Sequence, residues 1–177
     1  MLFLVEASVD AANTAALDTL FDAFRRDAAR AAGELVEVHV SRNLNRAYVV
    51  IEHTDGLGLE ATLREQLTFE SIDQVRLVGA ELADVKAVRG EARFLVEWDF
   101  PPTLTMETYL ARKKEKAPLY AQIPEVTFLR TYVREDMVKC LCFYDGPDSA
   151  AVCRARDIVG APVHRLSELQ GAPVNVG

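Results

Sequence analysis

Glu6 and Glu97 each follow the triplet Phe-Leu-Val, which the chain writes at Phe3 and again at Phe94, 91 residues later. An all-apolar strand would have continued at that place. A carboxylate enclosed by apolar neighbours is held by hydrogen bonds or carries a raised pKa, and these are the ingredients of an acid or base. If both glutamates face a shared interior, Trp98, Tyr132, Tyr144 and His164 are candidate walls of the same ligand site, since pockets combine aromatic surfaces with a few polar groups. The plainer alternatives are a glutamate at a strand end paired with an arginine, and core aromatics with a satisfied polar tip.

Metal ligation is the second chemistry to weigh. The chain has three histidines, His39, His53 and His164. A site for nickel or another divalent transition metal needs several imidazole, thiolate or carboxylate groups converging. His39 and His53 fall on neighbouring strands, and antiparallel pairing can bring such side chains close. His164 lies on the last strand. No His-x3-His, His-x2-His or Cys-x2-Cys spacing occurs. Cys140 and Cys142 sit two apart on a strand and so face the same way. Their separation, roughly 6.5–7 Å along the strand, is poor for a disulfide, and core packing is the expected role. Cys153, on a helix, is read as packing too. No nucleophile elbow, phosphate-binding loop or kinase signature is present, so the sequence offers no recognisable catalytic machinery.

Charge narrows the partners. A net charge of −7 and a pI near 5.0 argue against nucleic acid, which needs a concentrated basic surface. The one basic cluster, Arg112, Lys113, Lys114 and Lys116, shares its segment with Glu107 and Glu115 and reads as a solvated helix face. No stretch approaches the ~20 apolar residues of a membrane span. The start, "MLFLVEASVD", lacks the basic region of a signal peptide. With an odd number of cysteines, these features predict a cytoplasmic protein with free thiols and no membrane partner.

The elements that must position these residues come next. "LFLVEASV" reads as a strand, with Asn13 or Thr14 as cap for a helix carrying Leu17, Leu20, Phe21 and Phe24, and Gly33 as its stop. "LVEVHVS" alternates valines with Glu37 and His39, a half-buried strand. "RNLN" turns into the strand "RAYVVIEH", a helix runs over roughly 59–67, and "DQVRLVGAELADV" closes the half as a strand. The second half repeats this order. "RFLVEWDF" is a strand, and "PPTLT" caps a helix from Met106 to about Tyr120, with Pro118 disturbing its end. "EVTFLRTYV" and "VKCLCFYD" are strands around the turn "REDM". Asp148 or Ser149 caps a helix ending at Gly160, and "PVHRLSEL" is the last strand.

Each half is therefore β-α-β-β-α-β, the ferredoxin-like order. The expectation is an α+β protein of tandem modules at 1–83 and 91–170, with a linker at 84–90 and a tail at 171–177, placing Phe3 on Phe94 and Glu6 on Glu97. The endings "GAEL" at Gly79 and "LSEL" at Leu166 correspond as well. Helices on one sheet face leave the other needing a cover. The modules are thus expected to pack sheet to sheet as an intrachain pseudo-dimeric α+β barrel, and the tandem chain could pair again as a homodimer.

The second half resembles the small ferredoxin-like family that includes nickel-binding proteins, formerly catalogued as a domain of unknown function. The resemblance runs from Phe94 to Leu169, through "FLVEWDF", "RTYVREDMVKCLCFYDGPD" and "GAPVHRLSEL". Cys142-Phe143-Tyr144-Asp145-Gly146-Pro147-Asp148 looks like the family's Cys-x-Tyr-acidic-small-Pro-Asp segment, and Gly160-Ala161-Pro162 like its helix-ending Gly-x-Pro. The first half looks like a diverged copy. One departure concerns metal: where the family often has a histidine in the helix after Pro-Asp, this chain has Ala155. The resemblance implies the ferredoxin-like fold and a protein binding a small ligand or a transition metal, nickel among them. Two other readings stay open: a small-molecule enzyme of the α+β barrel type, such as a cyclase, isomerase or monooxygenase, and a structural or partner-binding module.

Overall fold

A computed structural model describes residues 1–9, 14–87 and 92–170. The chain divides into two units. The first holds Met1–Val75, Glu81–Glu91 and Gln170–Gly177, and the second holds Arg76–Ala80 and Ala92–Leu169. The expected tail at 171–177, the cap Asn13 and the end of the expected linker fall outside the described residues.

In the first unit, strand β1 (Leu2–Ser8) leads to helix α1 (Thr14–Arg30), strands β2 (Glu34–Val40) and β3 (Arg46–Glu52), helix α2 (Gly56–Arg64) and strand β4 (Ser71–Val78). The spatial order is β2-β3-β1-β4, and β1 pairs antiparallel with both β3 and β4. Alternation along β1 sends Phe3, Val5 and Ala7 to the helix side, where Phe24 and Ala28 of α1 and Leu59 and Leu63 of α2 close the core. Burying side chains such as Phe24 contributes roughly 1.5–3 kcal/mol each.

The second unit repeats the plan with strand β5 (Phe94–Asp99), helix α4 (Met106–Lys116), a 3-10 turn (Ala117–Gln122), strands β6 (Thr127–Arg134) and β7 (Lys139–Asp145), helix α5 (Ser149–Ile158) and strand β8 (Arg165–Glu168). Its order, β6-β7-β5-β8, matches the first. Thr105 caps α4 by accepting from the Thr108 amide, and Asp148 caps α5 by accepting from that of Ala151. Pro118 stands in the 3-10 turn, as its missing N–H and fixed φ dictate. The class and the duplicated order agree with the sequence reading.

Register supports the duplication where letters do not. Phe3 faces Ile51 across β3 as Phe94 faces Tyr144 across β7, and Glu6 faces Tyr48 as Glu97 faces Leu141. The second strand of each unit carries a register break two residues in, at Leu35/Glu37 and at Phe128/Arg130.

Several expectations need correction. The segment Gly79–Leu82 is not the end of a strand: β4 stops at Val78, Gly79 turns with φ +88°, and helix α3 (Leu82–Ala87) begins at the end of the expected first module and runs into the expected linker. The helix expected over 59–67 starts earlier, at Gly56, because Asp55 accepts from the amides of Leu57 and Gly58. Gly33 is not the left-handed residue ending α1. Ala32 takes that conformation at φ +62°, and the Gly33 amide reaches back to the Ala28 carbonyl at 2.8 Å. Glu37 and His39 are buried rather than solvated, and the two side chains share a 2.7 Å hydrogen bond. Buried polar groups must be satisfied, and the i, i+2 spacing makes each the other's partner.

Candidate functional site

The second unit builds a pocket on its helix side. Alternation along β7 sends Cys140, Cys142 and Tyr144 toward the helices, and Trp98 of β5 stands opposite Cys140. On α4, Tyr109, Arg112, Lys113 and Lys116 follow i, i+3, i+4 and i+7, a single stripe. The 3-10 turn brings Tyr120 over the sheet, where its ring stacks on Phe128 at 5.6 Å and its hydroxyl shares a 2.8 Å hydrogen bond with that of Tyr144. From α5 comes Arg156. Together these enclose about 60 Å³, with Trp98, Tyr109, Tyr120 and Phe128 as aromatic walls and Arg112, Lys113, Lys116 and Arg156 as cations. The lining includes no Asp or Glu. Gly79 approaches the wall closely: a Cβ there would lie 2.7 Å from the Phe128 ring, in a backbone conformation that side chains rarely adopt.

Below the pocket lies a polar cluster. Arg156 is only 3% exposed. Its Nη1 donates to the Tyr144 hydroxyl at 3.2 Å and to the Cys142 sulfur at 3.4 Å, and Nη2 donates to the Pro162 carbonyl at 2.6 Å. Its Nε is buried without a partner. Lys113 Nζ donates to Thr131 Oγ1 at 2.8 Å and stands 4.0 Å from the Phe128 ring centre. Thr131 in turn donates to Cys142 Sγ at 3.2 Å, and the two thiols are 3.7 Å apart. These groups divide the titration of the cysteine pair. The hydrogen bond from Cys140 holds the Cys142 pKa well below the usual thiol value against the opposing effect of burial, with Arg156 and Lys113 adding to it. Burial pushes Cys140 up, so it keeps its proton. Burial also lowers Lys113 and raises Tyr120. For Arg156, burial works against the cation, but Cys142 and Tyr144 outweigh it and raise its pKa.

The residues expected to carry function divide. Trp98 lines the pocket, and Tyr144 lies beneath it. Tyr132 does not line it: it is fully buried, edge-on to Phe143 at 5.9 Å. Glu6 and Glu97 are buried, each held by a cation from the first residue of its unit's third strand, Arg46 at 3.1 Å and Lys139 at 2.8 Å. Arg165 adds a second contact to Glu97 at 3.1 Å. Burial would raise the Glu97 pKa, but the hydrogen bonds from Arg165 and Lys139 bring it below the ordinary value. His39 pairs with Glu37, while His53 engages the Ala31 carbonyl and the Asp55 amide. His164 is exposed and accepts from the Asp99 amide at 2.9 Å. Among the described residues, no three His, Cys, Asp or Glu side chains are grouped to hold a metal ion. None of the described helices is long and apolar enough to cross a membrane.

Sequence reasoning missed the cations. Arg112, Lys113 and Lys116 read as a solvated face, yet they line the pocket, and Arg156 was not singled out. The signal was Tyr109 three and four residues before Arg112 and Lys113, which puts a buried aromatic on the same helical stripe as the basic residues.

Comparison with known proteins adds a family match and a fold likeness. The family described as nickel responsive protein SCO4226-like matches residues 94–169, the span from β5 through β8 and the residue after it. No curated protein matches the chain. Among solved structures, a candidate chlorite dismutase, TA0507, is similar over 96% of this chain and 93% of its own, at 13% identity and a TM-score of 0.54, and this likeness shows the fold. A candidate monooxygenase from Lactobacillus acidophilus NCFM is similar over 96% of this chain and 92% of its own, at 7% identity and a TM-score of 0.49.

Proposed function

We propose that this chain is a small-ligand-binding protein whose site is the pocket between α4, α5 and the sheet of the second unit. One observation carries the reading: an aromatic-walled cavity of about 60 Å³ with polar groups converging on it, within residues that match a single family. Such a concave, mostly apolar space with a few placed polar groups is the usual form of a small-molecule site. The cysteine pair, Arg156 and Lys113 hold one another in place rather than forming a nucleophile-and-base relay, so binding needs no catalytic step.

Nickel, which the family's description names, does not fit these residues. The three histidines serve separate partners, and the two thiols lie beside two cations that oppose a divalent ion. Equilibrium dialysis with Ni²⁺, Zn²⁺ and Cu²⁺ tests this directly, and stoichiometric uptake at neutral pH would restore the metal reading.

Trp98 is the only tryptophan of the chain and lines the cavity, so its emission reports occupancy. A single-ring aromatic probe is expected to change that emission saturably. Ala161→Phe, which places a ring in the lining, should abolish the response while leaving the fold intact by circular dichroism. A saturable response that Ala161→Phe leaves unchanged would place binding elsewhere and end the proposal.

A further inference from the structure

We infer that the pocket selects an anion, a small flat molecule bearing a single carboxylate or an equivalent negative group. This rests on the ligand-binding reading above and adds the charge of the ligand. Four cations line the space and no carboxylate does. Arg112 spends a donor on the Gly160 carbonyl, Lys113 on the Thr131 hydroxyl, and Arg156 on the Pro162 carbonyl and the Tyr144 hydroxyl. These acceptors are neutral, whereas Lys116 pairs with the exposed Glu115 carboxylate at 3.0 Å, which leaves Arg112, Lys113 and Arg156 as the cations that matter for an anion.

For Arg156 and Lys113, a buried group able to carry negative charge is the Cys142 sulfur, which faces Arg156 and, through Thr131, Lys113. A single sulfur can balance at most one of the two cations. Leaving the second without a charged partner in a partly buried site is unfavourable, and an anionic ligand relieves it. Donor capacity remains for such a ligand. Lysine offers three protons and arginine five, and the Nε of Arg156, itself nine-tenths buried, has no partner. Lys113, above the Phe128 ring, is held at the wall by that ring and by Thr131. A carboxylate meeting Lys113 and Arg156 gains charge-assisted hydrogen bonds, and the ring attached to it gains Trp98, Tyr109 and Phe128.

Benzoate, benzamide and benzamidinium test this, because they share a ring and a planar three-atom head but differ in charge. The full chain is titrated with each, following Trp98 emission. Benzoate is expected to bind at least about tenfold more tightly than benzamide, as a charge-assisted hydrogen bond implies, with benzamidinium giving no response. Lys113→Met keeps the stem over Phe128 and removes the charge; it should weaken benzoate about tenfold and leave benzamide unchanged. Arg112→Met, at an exposed position, serves if Lys113→Met does not fold, with a smaller loss of the same sign. Equal affinity for benzoate and benzamide would overturn the anion selection while leaving ligand binding intact. No response to any of the three would overturn both.

Discussion

A carboxylate at the end of Phe-Leu-Val has the same fate in both units. Glu6 meets Arg46 and Glu97 meets Lys139, and these cations are the opening residues of β3 and β7. Neither glutamate is a free acid or base, so the repeated letter marks a buried ion pair. Removing one member of such a pair leaves the other charge poorly compensated, which costs roughly 3 kcal/mol or more. Glu97→Gln should therefore lower stability by about that amount near neutral pH, read as a fall in the urea midpoint. The pH dependence has a definite sign. The folded-state pKa of Glu97 is lowered from 4.5, so its contribution is complete above that value and is lost as pH falls through the folded one. Acidification should then narrow the gap between wild type and variant, and a gap that stays constant down to pH 3 would contradict the assignment. Cys142 gives a second expectation at this scale. Its depressed pKa predicts a thiolate absorbance at neutral pH that disappears in Cys142→Ser and survives in Cys153→Ser. An ultraviolet difference spectrum across pH 5 to 9 decides it.

Elements were legible where local chemistry spoke alone. Thr105 and Asp148 cap their helices as read, Pro118 ends α4, and the paired strands fall where alternation put them. What misled was context. Glycine is the usual left-handed residue after a helix, and Gly33 invited that reading, yet Ala32 sits at φ +62°. The reason is space: a Cβ at Gly33 would lie 3.1 Å from the Glu52 carbonyl oxygen and from the His53 ring, so glycine is needed there for close approach instead. Ala32→Gly should accordingly stabilise the protein, by about 0.5–1 kcal/mol, since a left-handed alanine is strained. Thermal unfolding reads this as a rise in midpoint, and a fall would mean that the entropy of the extra glycine outweighs the strain. The basic stripe of α4 was misread for a related reason. Charge argued for solvent, and only packing shows that Lys113 lies against Phe128. The pocket joins residues from β5, α4, β6 and α5, far apart in sequence, so it could not be read from any one segment. Tyr132 failed as a wall because its alternation in β6 sends it against Phe143, away from the pocket.

At the scale of the whole chain, the duplication was legible from two copies of one strand and from element order, and the matched register breaks in β2 and β6 add what letters could not. The boundary between the units was less legible, because it cuts through β4. Residues Arg76–Ala80 belong to the second unit although they precede its first strand. There, Val78 packs on the second core, Arg76 makes a two-point ion pair with Glu135 at 3.0 and 3.1 Å, and Gly79 lies under Phe128. A fragment cut at the apparent linker, 92–170, discards all three. The ion pair, being exposed, contributes about 1 kcal/mol at most, whereas losing Val78 uncovers apolar surface beside the pocket wall. A fragment of residues 76–170 should therefore unfold at a higher urea concentration than one of 92–170, and only the longer should keep the Trp98 response to benzoate. Both are expected to self-associate in sedimentation, because helices α4 and α5 serve one face of the sheet and an isolated module presents the other to water. Equal unfolding midpoints would show that the end of β4 adds nothing to the second unit, and a monomeric fragment 76–170 would show that a single module can stand alone.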